Sequence, residues 1–121
     1  MQLQLKIMIC EDTERFMGQG PYQLLRLTDE LGSLRRAAGK MGMSYSKAHA
    51  LIKRLENCLH RQVLRSHTGG AAGGGAELTK FGRLLLQEYA ELVKRLNCEA
   101  VQAFDVFCAN LAVVPEKTEK L

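Results

Sequence analysis

Eight bases, Arg35, Arg36, Lys40, Lys47, Lys53, Arg54, Arg61 and Arg65, fall within residues 33–67 and face a single acid, Glu56. That block carries +7 while the other 86 residues sum to −3, so the +4 of the 121-residue chain is concentrated in under a third of it. Clustered cations attract a polyanion, and a basic block inside a near-neutral chain is the electrostatic footprint of nucleic-acid binding.

The other reactive residues assemble no rival chemistry. The run Gly69-Gly70-Ala71-Ala72-Gly73-Gly74-Gly75 invites a phosphate-cradle reading, but a nucleotide loop needs Gly-Lys-Ser/Thr, and Gly75 is followed by Ala76-Glu77. A flexible loop tip is the better reading, its bare amides lying with Arg65, His67 and Thr68 against a nucleic-acid backbone. No lysine or arginine lies between Thr68 and Lys80, so the tip itself adds little Coulomb attraction. Cys10, Cys58, Cys98 and Cys108 form no CxxC pair and are expected as buried, reduced thiols, with neither a disulfide framework nor a zinc site. His49, His60 and His67 have no Cys or carboxylate at metal-ligand spacing; His49 fits a base edge, a phosphate or a plain exposed helix position, and His60 a loop. No paired carboxylates and no Ser-His-Asp or Cys-His arrangement can be inferred, so no enzyme and no cofactor are expected.

The elements that position the basic block read as follows. Residues 2–9 alternate Leu3, Leu5, Ile7 and Ile9 with Gln2, Gln4, Lys6 and Met8, which predicts a half-buried strand, and residues 11–20 read as a loop. Pro21 suits a first helical turn, Leu24, Leu27 and Leu31 recur at helical spacing, and Gly32 closes that helix. Ser33 caps a second, short helix with Leu34, Ala37, Ala38 and Met41 inward. After the turn Met41-Gly42-Met43, Ser44 caps a third with Ala48, Leu51, Ile52 and Leu55 inward. This is a helix-turn-helix. Opposite the buried stripe of the third helix stand Ser46, Ala50 and Lys53, flanked by Lys47, His49 and Arg54, a polar face suited to a major groove.

Residues 63–68 and 76–78 predict two strands around the glycine run, which is the layout of a wing. From Thr79, a plausible cap, apolar residues recur every three or four positions to Leu111, a helix of about 50 Å if unbroken. Phe81, Leu85 and Tyr89 can be buried by the wing domain. Leu92, Leu96, Phe104, Phe107 and Leu111 lie beyond its reach, and a second copy of the same helix is the economical cover. Pro115 and a charged tail end the ordered part.

At 46% hydrophobic and 25% charged the composition excludes wholesale disorder and fits one domain with an appendage. No apolar run approaches the ~18 residues of a membrane span and no basic-then-apolar leader opens the chain, so a cytoplasmic protein without a membrane partner is expected.

The stretch Gly32-Ser33-Leu34-Arg35-Arg36-Ala37-Ala38 through Ser44, with Ile52-Lys53-Arg54-Leu55-Glu56 and Leu78-Thr79-Lys80-Phe81-Gly82, resembles the winged helix-turn-helix of LysR-type regulators. The N-terminal domain of the molybdate-responsive ModE family is the closer resemblance, on Ser44-Tyr45 opening the recognition helix and on Thr68-Gly69-Gly70 with Gly73-Gly74-Gly75-Ala76-Glu77-Leu78-Thr79 at the wing. It covers roughly residues 3–95. In that family the first strand and final helix support the domain, the final helix joins two protomers, and separate C-terminal domains bind molybdate. The sequence ends at Leu121, so those domains are expected to be absent; the resemblance implies DNA binding and dimerisation, not metal sensing.

The expected fold is therefore mainly α with a small β-sheet. A winged helix-turn-helix spans residues 1–78, a long C-terminal dimerisation helix 79–112 and a polar tail 113–121, the strand at 2–9 sharing one sheet with the wing. The expected function is sequence-specific transcriptional regulation as a homodimer on double-stranded DNA. Ser46, Lys47, His49 and Lys53 are base-edge candidates, with Tyr45 near the groove wall. Ser33, Arg35, Arg36, Lys40, Arg54, Arg65, His67 and Thr68 are phosphate candidates, which position without specifying. Two alternatives are a protein-binding winged helix, which has no need of +7 in one block, and a short regulator that itself binds molybdate.

Overall fold

The computed structural model describes residues 1–67 and 75–113. Thr68, the glycines at 69, 70, 73 and 74, and the tail from residue 114 lie outside them. The order of elements is β1 (Ile9–Glu11), β2 (Glu14–Met17), α1 (Gln19–Leu31), α2 (Leu34–Lys40), α3 (Tyr45–Leu59), β3 (Leu64–His67), β4 (Gly75–Leu78) and α4 (Lys80–Ala112). The chain divides into two compact units, Lys6–Ala90 and a second made of Met1–Leu5 with the residues from Glu91 onward. Among the described residues no helix is long and apolar enough to cross a membrane.

The helix-turn-helix forms where its caps predict. Gly32 ends α1 at φ 70°, its N–H on the Thr28 carbonyl at 2.8 Å. The Ser33 hydroxyl accepts the Arg36 N–H at 3.1 Å and the Ser44 hydroxyl accepts the Lys47 N–H at 3.1 Å, each satisfying a donor that the first helical turn leaves free. Ala37 and Ala38 are 0% and 1% exposed where α2 crosses its neighbours; a larger side chain there would hold the helices apart. From α3, Ala48, Ile52 and Leu55 complete the same core with Leu24 and Leu25 of α1.

The wing is an antiparallel pair, Leu64 opposite Leu78 and His67 opposite Gly75. It is seated at both ends. The Ala76 N–H donates to the Gly32 carbonyl at 3.0 Å, and a Cβ on Gly75 would stand 2.9 Å from that same oxygen, so glycine is required by the close approach. At the other end Thr79 caps α4: its hydroxyl accepts the Gly82 N–H at 3.0 Å and donates to the Gln62 carbonyl at 2.7 Å. Its own N–H meets the Val63 carbonyl at 3.0 Å. A Cβ on Gly82 would collide with that carbonyl, which is the physical content of Leu78-Thr79-Lys80-Phe81-Gly82.

Three expectations need correction. Residues 2–8 form no strand; the ladder is the short hairpin β1–β2, and it spans much of the segment read as a loop. Alternation does not by itself supply the partner edge that a strand needs. What fixes the hairpin is Phe16 and Met17, the latter 2% exposed, while Leu3 and Leu5 stay exposed and Ile7 is tied by its carbonyl to the Tyr89 hydroxyl at 2.8 Å. The single sheet is instead two separate two-stranded sheets, one per hairpin. The cysteines are free, but none is buried: Cys10 and Cys98 are exposed, Cys58 and Cys108 half-buried.

α4 is unbroken from Lys80 to Ala112. Tyr89 is buried and lies 5.4 Å, centroid to centroid, from Tyr22. Burial and the neighbouring Tyr22 push the Tyr89 phenol above its ordinary value, so it remains a donor to Ile7 at neutral pH. Further along, Leu92, Leu96, Phe107 and Leu111 are exposed, and Phe104 is half-buried with its ring 6.0 Å from that of Phe107.

Candidate nucleic-acid interface

Helix α3 offers one continuous exposed face: Ser46, Lys47, His49, Ala50, Lys53, Arg54 and Asn57 are all exposed, and none is acidic. The single acid of the helix, Glu56, is 9% exposed and turned to other work. Its carboxylate accepts the N–H groups of Val63 at 2.8 Å and Leu64 at 3.3 Å, fastening the end of α3 to the start of β3. It also meets the Lys53 ammonium at 3.4 Å. An acid that would repel phosphate is thus consumed inside the fold, while the exposed Lys53 ammonium keeps donors free.

On the wing side, α3 borders a groove of about 410 Å³ lined among others by Ser33, Arg35, Tyr45, His49, Lys53, Ser66 and His67. Arg35 lies over the Tyr45 ring at 4.3 Å, and that ring is 5.9 Å from His49. This cation–π contact uses none of the guanidinium N–H donors, so Arg35 is held near the ring with its donors available to an anion. The groove gathers both kinds of sequence candidate: Tyr45, His49 and Lys53 from the base-edge set, Ser33, Arg35 and His67 from the phosphate set.

The remaining candidates are dispersed. Ser46 and Lys47 are exposed at the start of α3, and Arg36 and Lys40 on α2, none of them lining this groove. Arg54 points to the other side of α3, where its Nε is 3.1 Å from a Glu14 carboxylate oxygen of β2. Arg65 stands opposite Glu77 in the wing, 3.8 Å from its carboxylate, which also lies 3.3 Å from His67 Nε2.

Sequence reasoning missed two participants. Asn57 falls seven residues after Ala50, about two turns along the same face, so the same helical arithmetic would have found it. Glu14 carried no local signal; only the hairpin brings it to Arg54. Beside it, Glu11, Glu14, Arg54, Asn57 and Cys58 line a shallower hollow. Burial, then the charges of Glu14 and Glu11, push the Cys58 thiol above its ordinary value, so it stays protonated and unreactive at neutral pH. Among the described residues no group of three or more His, Cys, Asp or Glu could hold a metal ion.

Residues 22–83 match the model of the bacterial regulatory helix-turn-helix proteins, lysR family. The chain is similar to the molybdenum-pterin-binding protein MopB of Rhodobacter capsulatus, 34% identical over 84 residues, 69% of this chain and 31% of that protein. It is 35% identical over 74 residues to the molybdenum transport protein ModE of Herbaspirillum seropedicae, 61% of this chain and 28% of that one. With the DNA-binding transcriptional dual regulator ModE of Escherichia coli K12 it shares 29% over 106 residues, 88% of this chain and 39% of that one. The chain thus spans between 28% and 39% of the length of these three relatives. Caps, turn, wing and family match coincide over one segment, and the chain belongs to the lysR family of bacterial regulatory helix-turn-helix proteins.

Proposed function

We propose that the chain binds duplex DNA sequence-specifically as a homodimer and regulates transcription, residues 1–78 meeting the DNA and the α4 segment of residues 79–112 joining the copies. The observation that carries this reading is the acid-free exposed face of α3 beside the wing groove. Ser46, Lys47, His49, Lys53 and Asn57 supply donors and acceptors for base edges, and Ser33, Arg35, Arg36 and Lys40 contact phosphates. The protein acts in the cytoplasm and catalyses no reaction, in keeping with relatives that are named as regulators.

Dimerisation rests on Leu92, Leu96, Phe107 and Leu111, four exposed large apolar side chains on one helix, with Phe104 beside them. At ~1.5–3 kcal/mol for each that is fully covered, they reach the range of the cost of association. A two-fold pair presents two recognition helices, so the operator is an inverted repeat. Sedimentation equilibrium at micromolar protein is expected to give a dimer, and a monomer overturns this part.

The experiment for DNA binding is selection of bound fragments from random duplex, followed by fluorescence titration at several salt concentrations. With about six phosphates neutralised, log K falls against log salt with a slope of roughly −5. Failure to bind any duplex removes the reading. The molybdenum in the names of two relatives belongs to proteins of which this chain spans a third or less. Equilibrium dialysis with molybdate is expected to show no binding by this chain.

A further inference from the structure

The wing has a second face. Side chains alternate along a strand, so Leu64, Ser66 and Ala76 line the α3 groove while Arg65 and Glu77 stand on the opposite side. There they border a hollow of about 600 Å³ with Arg61, Gln62, Thr79, Lys80, Phe81 and Arg83. Four of its lining residues are cations and one is an acid. Arg83 is 3.2 Å from Asp29 and Arg65 3.8 Å from Glu77, whereas Arg61 and Lys80 form no salt bridge among the described residues. The Arg61 guanidinium lies 4.9 Å from the centroid of the Phe81 ring, a cation–π contact that leaves its N–H donors unspent.

We infer that Arg61 and Lys80, with Arg65 beside them, bind the DNA backbone on the outer side of the wing, a phosphate contact separate from the face presented by α3. This rests on the DNA-binding reading above. A minor groove is about 6 Å wide with a phosphate strand along each edge. A two-stranded ribbon laid at that groove turns one face to each strand. The α3 groove, with Ser33 and Arg35, meets one strand, and the outer hollow meets the other. Arg61 is placed in advance by its cation–π contact with Phe81, so less side-chain freedom is lost when a phosphate arrives.

The test uses the full chain and fluorescein-labelled 24-bp duplex of mixed sequence, titrated between 50 and 200 mM NaCl. Removing one phosphate contact lowers the steepness of log K against log salt by about 0.9. Arg61→Gln with Lys80→Gln is expected to lower it by about two per protomer. Lys80→Gln alone, a change at an exposed residue that leaves the Arg61–Phe81 contact intact, is expected to lower it by about one per protomer. The charge-matched control, Lys6→Gln with Arg26→Gln, alters exposed bases outside both hollows and is expected to leave the steepness unchanged. An unchanged slope in the Arg61 and Lys80 variants, or an equal fall in the control, overturns the patch while DNA binding stands. A wild-type protein that binds no duplex removes the patch together with the reading it rests on.

Discussion

Two hairpins flank the recognition helix, and they are built alike but charged unlike. Each is a two-stranded antiparallel ribbon, the first packed on α3 through β2 and the wing packed on α1 through β4. The wing, β3–β4, faces α3 across a groove that holds Arg35, His49, Lys53 and His67, and the one acid there, Glu56, is bound to backbone N–H groups. The β1–β2 hairpin brings Glu11 and Glu14 to the opposite side, where Glu14 occupies Arg54. The same helix therefore has an anion-attracting flank and one where Glu11 and Glu14 balance Lys53 and Arg54. Sequence charge alone describes a uniform +7 block; the fold sorts it into bases that are free and bases that are spent.

The largest test of that difference sets Arg35 against Arg54. A charge-assisted hydrogen bond is worth about 1.5–3 kcal/mol, so Arg35→Ala is expected to weaken binding to the selected duplex about 10- to 100-fold. Arg54→Ala, which removes a base already paired with Glu14, is expected to change it less than threefold. Fluorescence titrations of the two variants giving equal losses would erase the distinction between the flanks.

Next comes the seating of the wing. Gly82→Ala forces a methyl group against the Val63 carbonyl, and overpacking of this kind costs about 2 kcal/mol, or roughly 10 °C in Tm. Thermal unfolding followed by circular dichroism reads it directly. A variant that melts within a degree or two of the parent shows that the wing yields at its base, and the contrast between a firm wing and a separate hairpin weakens.

The smallest effect concerns Glu14. Exposed ion pairs contribute little to stability, so Glu14→Gln is expected to leave Tm unchanged. Releasing Arg54 is expected to tighten duplex binding two- to threefold. The same substitution removes one of the charges that raise the Cys58 thiol, so Cys58 alkylates faster at pH 8 than in the parent. Unaltered binding together with unaltered alkylation means the hairpin's charge does not reach α3.

What was legible in the sequence is what is decided within a few residues. The serine caps at 33 and 44, the threonine cap at 79 and the positive φ at Gly32 depend on neighbours only, and the structure has each where the pattern predicts it. The family resemblance was legible for the same reason, being carried by those local signals in series. The strand at 2–9 was misread because alternation specifies an extended chain and says nothing about which edge it pairs with. Glu56, Gly75 and Gly82 are set by contacts with Val63, Leu64 and Gly32, brought near only by folding. Arg54 and Arg65 looked equivalent as bases, and only the hairpins show that they serve different sides.

Val63 shows what such long-range contacts do for the whole domain. It is 0% exposed; its N–H is gripped by Glu56 from α3, and its carbonyl takes the Thr79 N–H and lies against Gly82 at the start of α4. One peptide segment is thus riveted from both sides, and the root of the wing has no free hinge. On the proposed DNA-binding reading, a domain built this way meets each duplex with a fixed span between recognition helix and wing root. Any misfit has to be absorbed by the DNA, through groove width and bending. Base pairs that no side chain touches then enter the binding energy through their stiffness, and operators of equal contact sequence are ranked by how cheaply they deform.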